Sequence, residues 1–270
     1  MTEEHPHTYV IAPTGAEEAG AILCEATALA RKGLQVRVGL IESPYLQCGP
    51  PDSEALRALA SGLPPELASE GGTILLGHDR MSDIIEVSKT DLLAVVQGGV
   101  RYEELAAAAG NAGLHFPHRP ETDVTIAEMV MDGAIFPTEG GFGTLREYIL
   151  SLELVTPSGE IVRFGSRAIK DVGGYELIGF LLGQGGRCGF ISSVTLRLLP
   201  EPCCRAYVAA TGEVRTLKTL AHNARREFRL SSTVIYEGGS AALVTGMWRD
   251  ALGERGKTFP PVLELSLIHI

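Results

Sequence analysis

Two periodicities alternate along this chain. From Gly15 to Arg31 apolar residues recur at helical spacing, at Ala19, Ile22, Leu23, Ala26, Leu29 and Ala30. Thr14 is a candidate N-cap, with Glu17 as its capping-box partner, and Gly33 is a helix stop. Val10-Ile11 and the alternating Leu34–Val38 read as strands on either side, so the chain opens β-α-β. Residues 41–72 break the pattern. Pro44, Pro50, Pro51, Pro64, Pro65, Gly71 and Gly72 punctuate them, with one short helical segment over 54–60, and predict a surface excursion.

Regular patterning then resumes. Strands are predicted over Thr73–Leu76, Ile84–Val87 and Leu92–Val96, and helices over Tyr102–Ala109 and Thr125–Met131. Ile149–Val155 and Ile161–Phe164 flank the turn signal Pro157-Ser-Gly159. A short apolar helix follows over Leu177–Leu182. Phe190–Leu199 alternates, with Phe190, Ser192, Val194, Leu196 and Leu198 on one side. Pro200 and Pro202 mark a boundary, after which a strand (Tyr207–Ala210), a helix (Glu213–Phe228) and a strand (Thr233–Tyr236) begin an incomplete second unit. The order is α+β rather than strictly alternating, and no internal repeat is present.

Composition narrows the function classes. The 270 residues carry 23 Lys+Arg against 33 Asp+Glu, a formal net charge of −10, which disfavours nucleic acid as a partner. The Met1–His7 start is polar and acidic, unlike a signal peptide, and no apolar run reaches membrane-spanning length. Cys24, Cys48, Cys188, Cys203 and Cys204 form no C-x-x-C pair. They read as reduced thiols of a cytoplasmic protein, with no metal or cluster site of their own.

Two segments carry more specific information. Ile169-Lys-Asp-Val-Gly-Gly-Tyr-Glu-Leu177 is followed by Gly183-Gln-Gly-Gly-Arg-Cys-Gly-Phe-Ile-Ser192 and Val194-Thr-Leu-Arg-Leu-Leu-Pro200. Together they resemble FAD-linked oxidases of the vanillyl-alcohol-oxidase/PCMH group, whose patterns read V-K-D-V-x-G-Y-D-L and G-S-E-G-T-L-G-V-I-T-x-x-T-L-R-L-L-P. Flavin subunits of bacterial glycolate oxidase and D-lactate dehydrogenases look most similar. The pattern lays on Thr125–Pro200 without a gap. Gly98-Gly-Val100 resembles the family's V-x-P-G-V turn, and the resemblance extends over residues 8–265, strongest from 90 to 200.

The resemblance implies a two-lobed PCMH-type FAD-binding domain over residues 1–200. It further implies an incomplete cap, or substrate, domain over 201–264. Leu265–Ile270 reads as a non-native tail. It implies FAD along Gly183, Gly185, Gly186 and Gly189, with Ile191 backbone at the adenine. Glycine suits such a place because it lets a ligand approach the backbone closely; a tight turn needing positive φ is the plainer reading. Thr125, Ile126, Ala134, Pro137 and Gly143 agree with the family's T-I-G-G-N-x-A-x-N-A-G-G-P-x-x-x-x-Y-G, with Phe142 for its Tyr. Thr125, Ile126, Ala127, Gly133, Phe142 and Gly143 are therefore candidate cofactor residues. Arg146 matches the family's arginine, and Pro117 its Pro-rich flavin-contacting turn. Lys170 and Asp171 read as a surface ion pair.

The departures from the pattern matter equally. Ala127-Glu-Met129 replaces paired glycines and Asn, and Glu128 would repel a diphosphate unless its carboxylate turns away. The family's P-R-G-G-G-T-S loop is missing after Val38, where only Gly39 stands, with Arg37 as a partial substitute. His115 and His118 read equally as a solvated loop, and His78-Asp79 as a surface turn. Arg146 reads equally as an ion-pair partner of Glu147 or Glu153, Tyr175 as a packing residue, and Cys188 as a buried thiol. No residue matches a covalent flavin attachment position, so FAD is expected to be non-covalent.

The function implied is oxidation of a 2-hydroxy acid such as glycolate or D-lactate by hydride transfer to flavin N5. An iron–sulfur or other oxidase subunit would accept electrons, a partner through which the protein could lie peripheral to the inner membrane. The catalytic residues are not among those the resemblance matches. Two alternatives remain open: an accessory subunit with a degenerate FAD site, and a nucleotide-binding regulatory module.

Overall fold

In the computed structural model the described residues form three larger sheets and one two-stranded pair. The structure describes residues 8–30, 35–38, 73–167, 177–201, 204–227, 230–236 and 241–249. The insertion (41–72), Gly39, Lys170, Asp171, Tyr175, Cys203 and the 265–270 tail lie outside the described residues.

The first sheet is parallel, in the order β1-β3-β2: β1 is Thr8–Ile11, β2 Gln35–Val38 and β3 Thr73–Leu76. The helix α1 (Ala16–Ala30) makes the crossover from β1 to β2. It starts one residue later than the sequence predicts. Gly15 precedes its first residue, and Glu18 rather than Glu17 reaches back to Thr14, accepting from its amide at 2.7 Å and from its hydroxyl.

The second sheet is antiparallel, in the order β4-β5-β9-β7-β8. Its strands are β4 (Ile84–Ser88), β5 (Leu93–Gln97), β7 (Ile149–Val155), β8 (Ile161–Gly165) and β9 (Phe190–Arg197). β9 lies at its centre, and its alternation does not mark one wet face, because both faces are largely buried. Helices α2 (Tyr102–Asn111) and α3 (Ile126–Asp132) pack on this sheet. Leu105, Ile126, Met129, Leu152, Val194 and Leu196 are each at most 1% exposed there. A two-residue pair, β6 (Leu114–His115) with β10 (Leu199–Pro200), closes one end.

The two sheets share a second cluster. Phe190 and Val155 of the antiparallel sheet bury against Ile11 and Ile74 of the parallel one and Ile22 of α1. Backbone contact reinforces it. A Cβ on Gly20 of α1 would stand 2.7 Å from the Gly159 carbonyl oxygen in the β7–β8 turn. The Thr27 hydroxyl donates to the Pro157 carbonyl beside it.

Short helices α4 (Glu139–Phe142) and α5 (Ile178–Leu181) and a 3-10 turn at Leu145–Tyr148 lie in the connections. The third sheet follows: β11 (Cys204–Gly212), α6 (Val214–Glu227), β12 (Leu230–Tyr236) and β13 (Ala241–Arg249), in the antiparallel order β11-β13-β12. No helix among the described residues is long and apolar enough to cross a membrane.

Candidate cofactor site

The candidate residues fall into three neighbouring groups, joined by α3. The first surrounds the turn Gly98-Gly-Val100 at the end of β5. The Gly98 amide donates to the Ser192 carbonyl (2.9 Å), the Gly99 amide to the Met81 carbonyl (2.8 Å), and the Ala127 amide to the Gly98 carbonyl (2.9 Å). A Cβ on Gly98 would lie 2.5 Å from the Ile191 carbonyl oxygen, and one on Gly99 would collide with the His78 carbonyl. Glycine is thus required at both positions by the protein's own close approach.

His78 holds this group together, and it is not in a surface turn. It is 5% exposed and stacks on Phe190, with ring centroids 4.1 Å apart and planes 7° apart. Its Nε2–H donates to the Ile191 carbonyl at 2.8 Å, which fixes the tautomer because a carbonyl can only accept. Desolvation by burial lowers its pKa to about 4, so it is neutral near pH 7. Sequence reasoning missed it because Phe190 and Ile191 lie more than a hundred positions away.

Glu128 settles the question its sequence position raised. Thr125 is the N-cap of α3: its hydroxyl accepts from the Glu128 amide at 3.2 Å, and the Glu128 carboxylate accepts from the Thr125 amide at 2.5 Å. This capping box turns the carboxylate back onto the chain. The same closure occupies the helix start. The Ile126, Ala127, Glu128 and Met129 amides donate to the Val100 carbonyl, the Gly98 carbonyl, the Thr125 hydroxyl and the Thr125 carbonyl. The side chains of Ile126 and Ala127 are buried.

The second group meets the far end of α3. Gly133 is its left-handed C-cap (φ 61°), and a Cβ there would stand 2.9 Å from Gly183 Cα. Gly183 and Gly185 donate to the Val130 (3.2 Å) and Met131 (2.8 Å) carbonyls. Gly183, Gly185, Gly186 and Gly189 all have positive φ, as the plainer sequence reading requires. Gly189 has a further reason, since a Cβ would collide with the Val155 carbonyl, whereas a Cβ on Gly185 would meet nothing within 4 Å. Cys188 is a partly buried free thiol.

The third group is aromatic and buried. His118 is fully enclosed, between Phe136 (centroids 5.1 Å), Tyr148 (4.8 Å) and Phe116 (5.6 Å). Its Nδ1 pairs with the Thr138 hydroxyl at 2.9 Å, and its buried Nε2 has no hydrogen-bond partner among the described residues. Burial lowers its pKa to about 4, against an opposing pull from Glu147. His115 is buried too, edge-on to Phe142, with Glu201 Oε2 3.7 Å from its Nδ1. The solvated-loop reading of 115–118 is therefore wrong, because the aromatic rings remove both imidazoles from water. Pro117 is buried between them. Phe142 accepts from the Tyr148 hydroxyl (3.0 Å), and Gly143 (φ 90°) sits under the Glu147 carboxylate. Arg146 donates to the Ile149 carbonyl (3.1 Å), while Arg163 takes the ion pair with Glu153 at 2.6 Å.

The glycine loop leaves room for a ligand to approach its backbone at Gly185, where a Cβ would meet nothing within 4 Å. The start of α3 does not, because protein acceptors fill it. Among the described residues no group of three His, Cys, Asp or Glu is placed to hold a metal ion.

Comparison with known proteins gives this arrangement its class. Residues 53–165 match a family described as a FAD binding domain. The chain is 32% identical over 139 residues to glycolate oxidase subunit GlcD of Bacillus subtilis, covering 50% of this chain and 29% of that one. It is 34% identical over 129 residues to D-lactate dehydrogenase of Archaeoglobus fulgidus, covering 47% and 29% respectively. An alkyldihydroxyacetonephosphate synthase structure superposes on 90% of this chain and 47% of its own at a TM-score of 0.67, with 14% sequence identity, which speaks to the fold alone. Residues 53–165 thus match a FAD binding domain, the fold is PCMH-type, and FAD is the cofactor. It spans about three-tenths of the length of these two curated relatives.

Proposed function

We propose that this chain is the FAD-holding part of an oxidoreductase that oxidises a small 2-hydroxy acid such as glycolate or D-lactate. The observation that carries the reading is the FAD binding domain match over 53–165, together with the names of the relatives it aligns with. In this reading residues 1–200 form the FAD-binding domain and 201–264 the start of the cap. When bound, FAD supplies the acceptor for the hydride leaving the substrate's α-carbon.

The chain's own residues bind and orient. Gly185 offers open backbone within the glycine loop. His78, through the Ile191 carbonyl, locks β9 to the 77–81 turn and holds the register of the site wall. The ring cluster of Phe116, Phe136 and Tyr148 excludes water beneath Pro117, and His118 stays neutral there, adding no buried charge. FAD is held without a covalent bond. Electrons pass to a partner, an iron–sulfur or other oxidase subunit, in a cytoplasmic setting.

A second reading, a non-catalytic accessory subunit, is favoured by one observation: the self-capped start of α3 with its buried Glu128 carboxylate. One experiment separates the two. The purified protein is mixed with FAD, desalted, and its absorption recorded from about 300 to 550 nm, where the flavin bands lie. Bands retained at near one FAD per chain support the enzyme reading. Dye reduction by the whole protein with glycolate and D-lactate then tests the substrate. A colourless protein that FAD does not saturate overturns it in favour of the accessory role.

A further inference from the structure

We propose that Arg187 is the cation that faces the cofactor's diphosphate, and that this anion lies on the Gly183–Gly189 loop rather than at the start of α3. The inference rests on the FAD reading above.

At the start of α3 an anion has nothing to bind. The first amides all have protein acceptors, and the Glu128 carboxylate closes the same turn. Two phosphate charges brought there would meet a negative group in a buried setting, where repulsion is strong.

The loop at the other end of α3 has the opposite character. Gly183 and Gly185 donate to the Val130 and Met131 carbonyls, so the helix's terminal oxygens are covered. Among the described residues the Gln184, Gly186 and Cys188 amides have no acceptor. The space beside Gly185 is open. Arg187 stands exposed within this run, without a carboxylate partner among the described residues. Four other arginines are already engaged: Arg101 with Asp123, Arg119 with Glu103, Arg163 with Glu153 and Arg167 with Glu86. In a chain of net charge −10, an uncommitted guanidinium beside open glycine amides is suited to a phosphate. Its planar fork donates two parallel hydrogen bonds to phosphate oxygens, which a lysine ammonium cannot match.

The test is fluorescence titration of the protein with FAD and with riboflavin, which lacks phosphate, at low and at moderate salt. Arg187→Gln is expected to weaken FAD at least about tenfold, the factor set by a charge-assisted hydrogen bond. It should also flatten the salt dependence and leave riboflavin binding unchanged. Arg187→Lys should fall between. Glu128→Gln should leave the FAD affinity as it is. Wild-type affinity and salt slope in Arg187→Gln overturn the inference while the FAD reading stands. So does an equal loss for riboflavin, or a tenfold gain in Glu128→Gln, which would put the diphosphate at α3. Failure of FAD to saturate the wild-type protein overturns the FAD reading itself and this inference with it.

Discussion

Acid should weaken this protein through two enclosed imidazoles, and the loss can be worked out from their surroundings. His78 and His118 are buried, and burial places both pKa values at about 4, against about 6.5 in the unfolded chain. The unfolded state therefore binds more protons between those values. The stability that depends on their neutrality is complete above pH 6.5, is lost as pH falls from 6.5 to 4, and changes no further below. Each histidine contributes about 2 kcal/mol less at pH 5 than at pH 7.5, and the pair about 4 kcal/mol. That is a large part of the roughly 5–15 kcal/mol that holds a typical domain folded. The assay is urea unfolding at both pH values for the wild type, His78→Gln, His118→Phe and the double variant. Gln keeps a donor for the Ile191 carbonyl without titrating near neutrality, and Phe fills the aromatic box without an orphaned nitrogen. Each single variant should lose about 2 kcal/mol less than the wild type on acidification. The double variant should retain only the slope that the remaining titratable groups contribute. If it loses as much as the wild type, the two imidazoles are not the source and the reasoning is refuted.

Three glycine and cap substitutions test the packing directly by thermal or urea denaturation. Gly20→Ala should destabilise, because the about 1 kcal/mol gained in helix propensity is outweighed by a Cβ driven onto the Gly159 carbonyl. Gly110→Ala, at a helical site with nothing within 4 Å, should stabilise by about 0.5–1 kcal/mol; equal effects at the two glycines would refute the contact argument. Thr125→Ala removes the acceptor for the Glu128 amide and should cost about 1 kcal/mol, and no measurable loss would deny the capping box its role.

What could be read in the sequence was local. Strands such as Leu92–Val96 and Ile149–Val155 lie within a residue of where alternation put them, because period and flanking turn residues are written in consecutive positions. The two-residue pairing of Leu114-His115 with Leu199-Pro200 has too few positions to show a period. The shift from Glu17 to Glu18 follows from a helix beginning one residue later, which changes the third helical residue. Within the site, positive φ at Gly183, Gly185, Gly186 and Gly189 was legible from the glycines themselves. The burial of His78, His115 and His118 was not, since their enclosing rings come from remote segments. Nor could residue type alone show that Glu128 would serve its own helix.

The strand at the centre of the large sheet is the last of its five to be made. While the ribosome extends the chain beyond Gly165, the β4–β5 and β7–β8 hairpins each present an unpaired inner edge, on β5 and on β7. Those edges carry Leu93, Ala94, Val96, Leu152 and Leu154, all buried in the finished fold. Only when residues 190–197 leave the exit tunnel does one insertion heal both. Until then the nascent protein offers two sticky templates for mispairing, so its yield in a cell should depend on translation pace and on chaperones that shield β-edges.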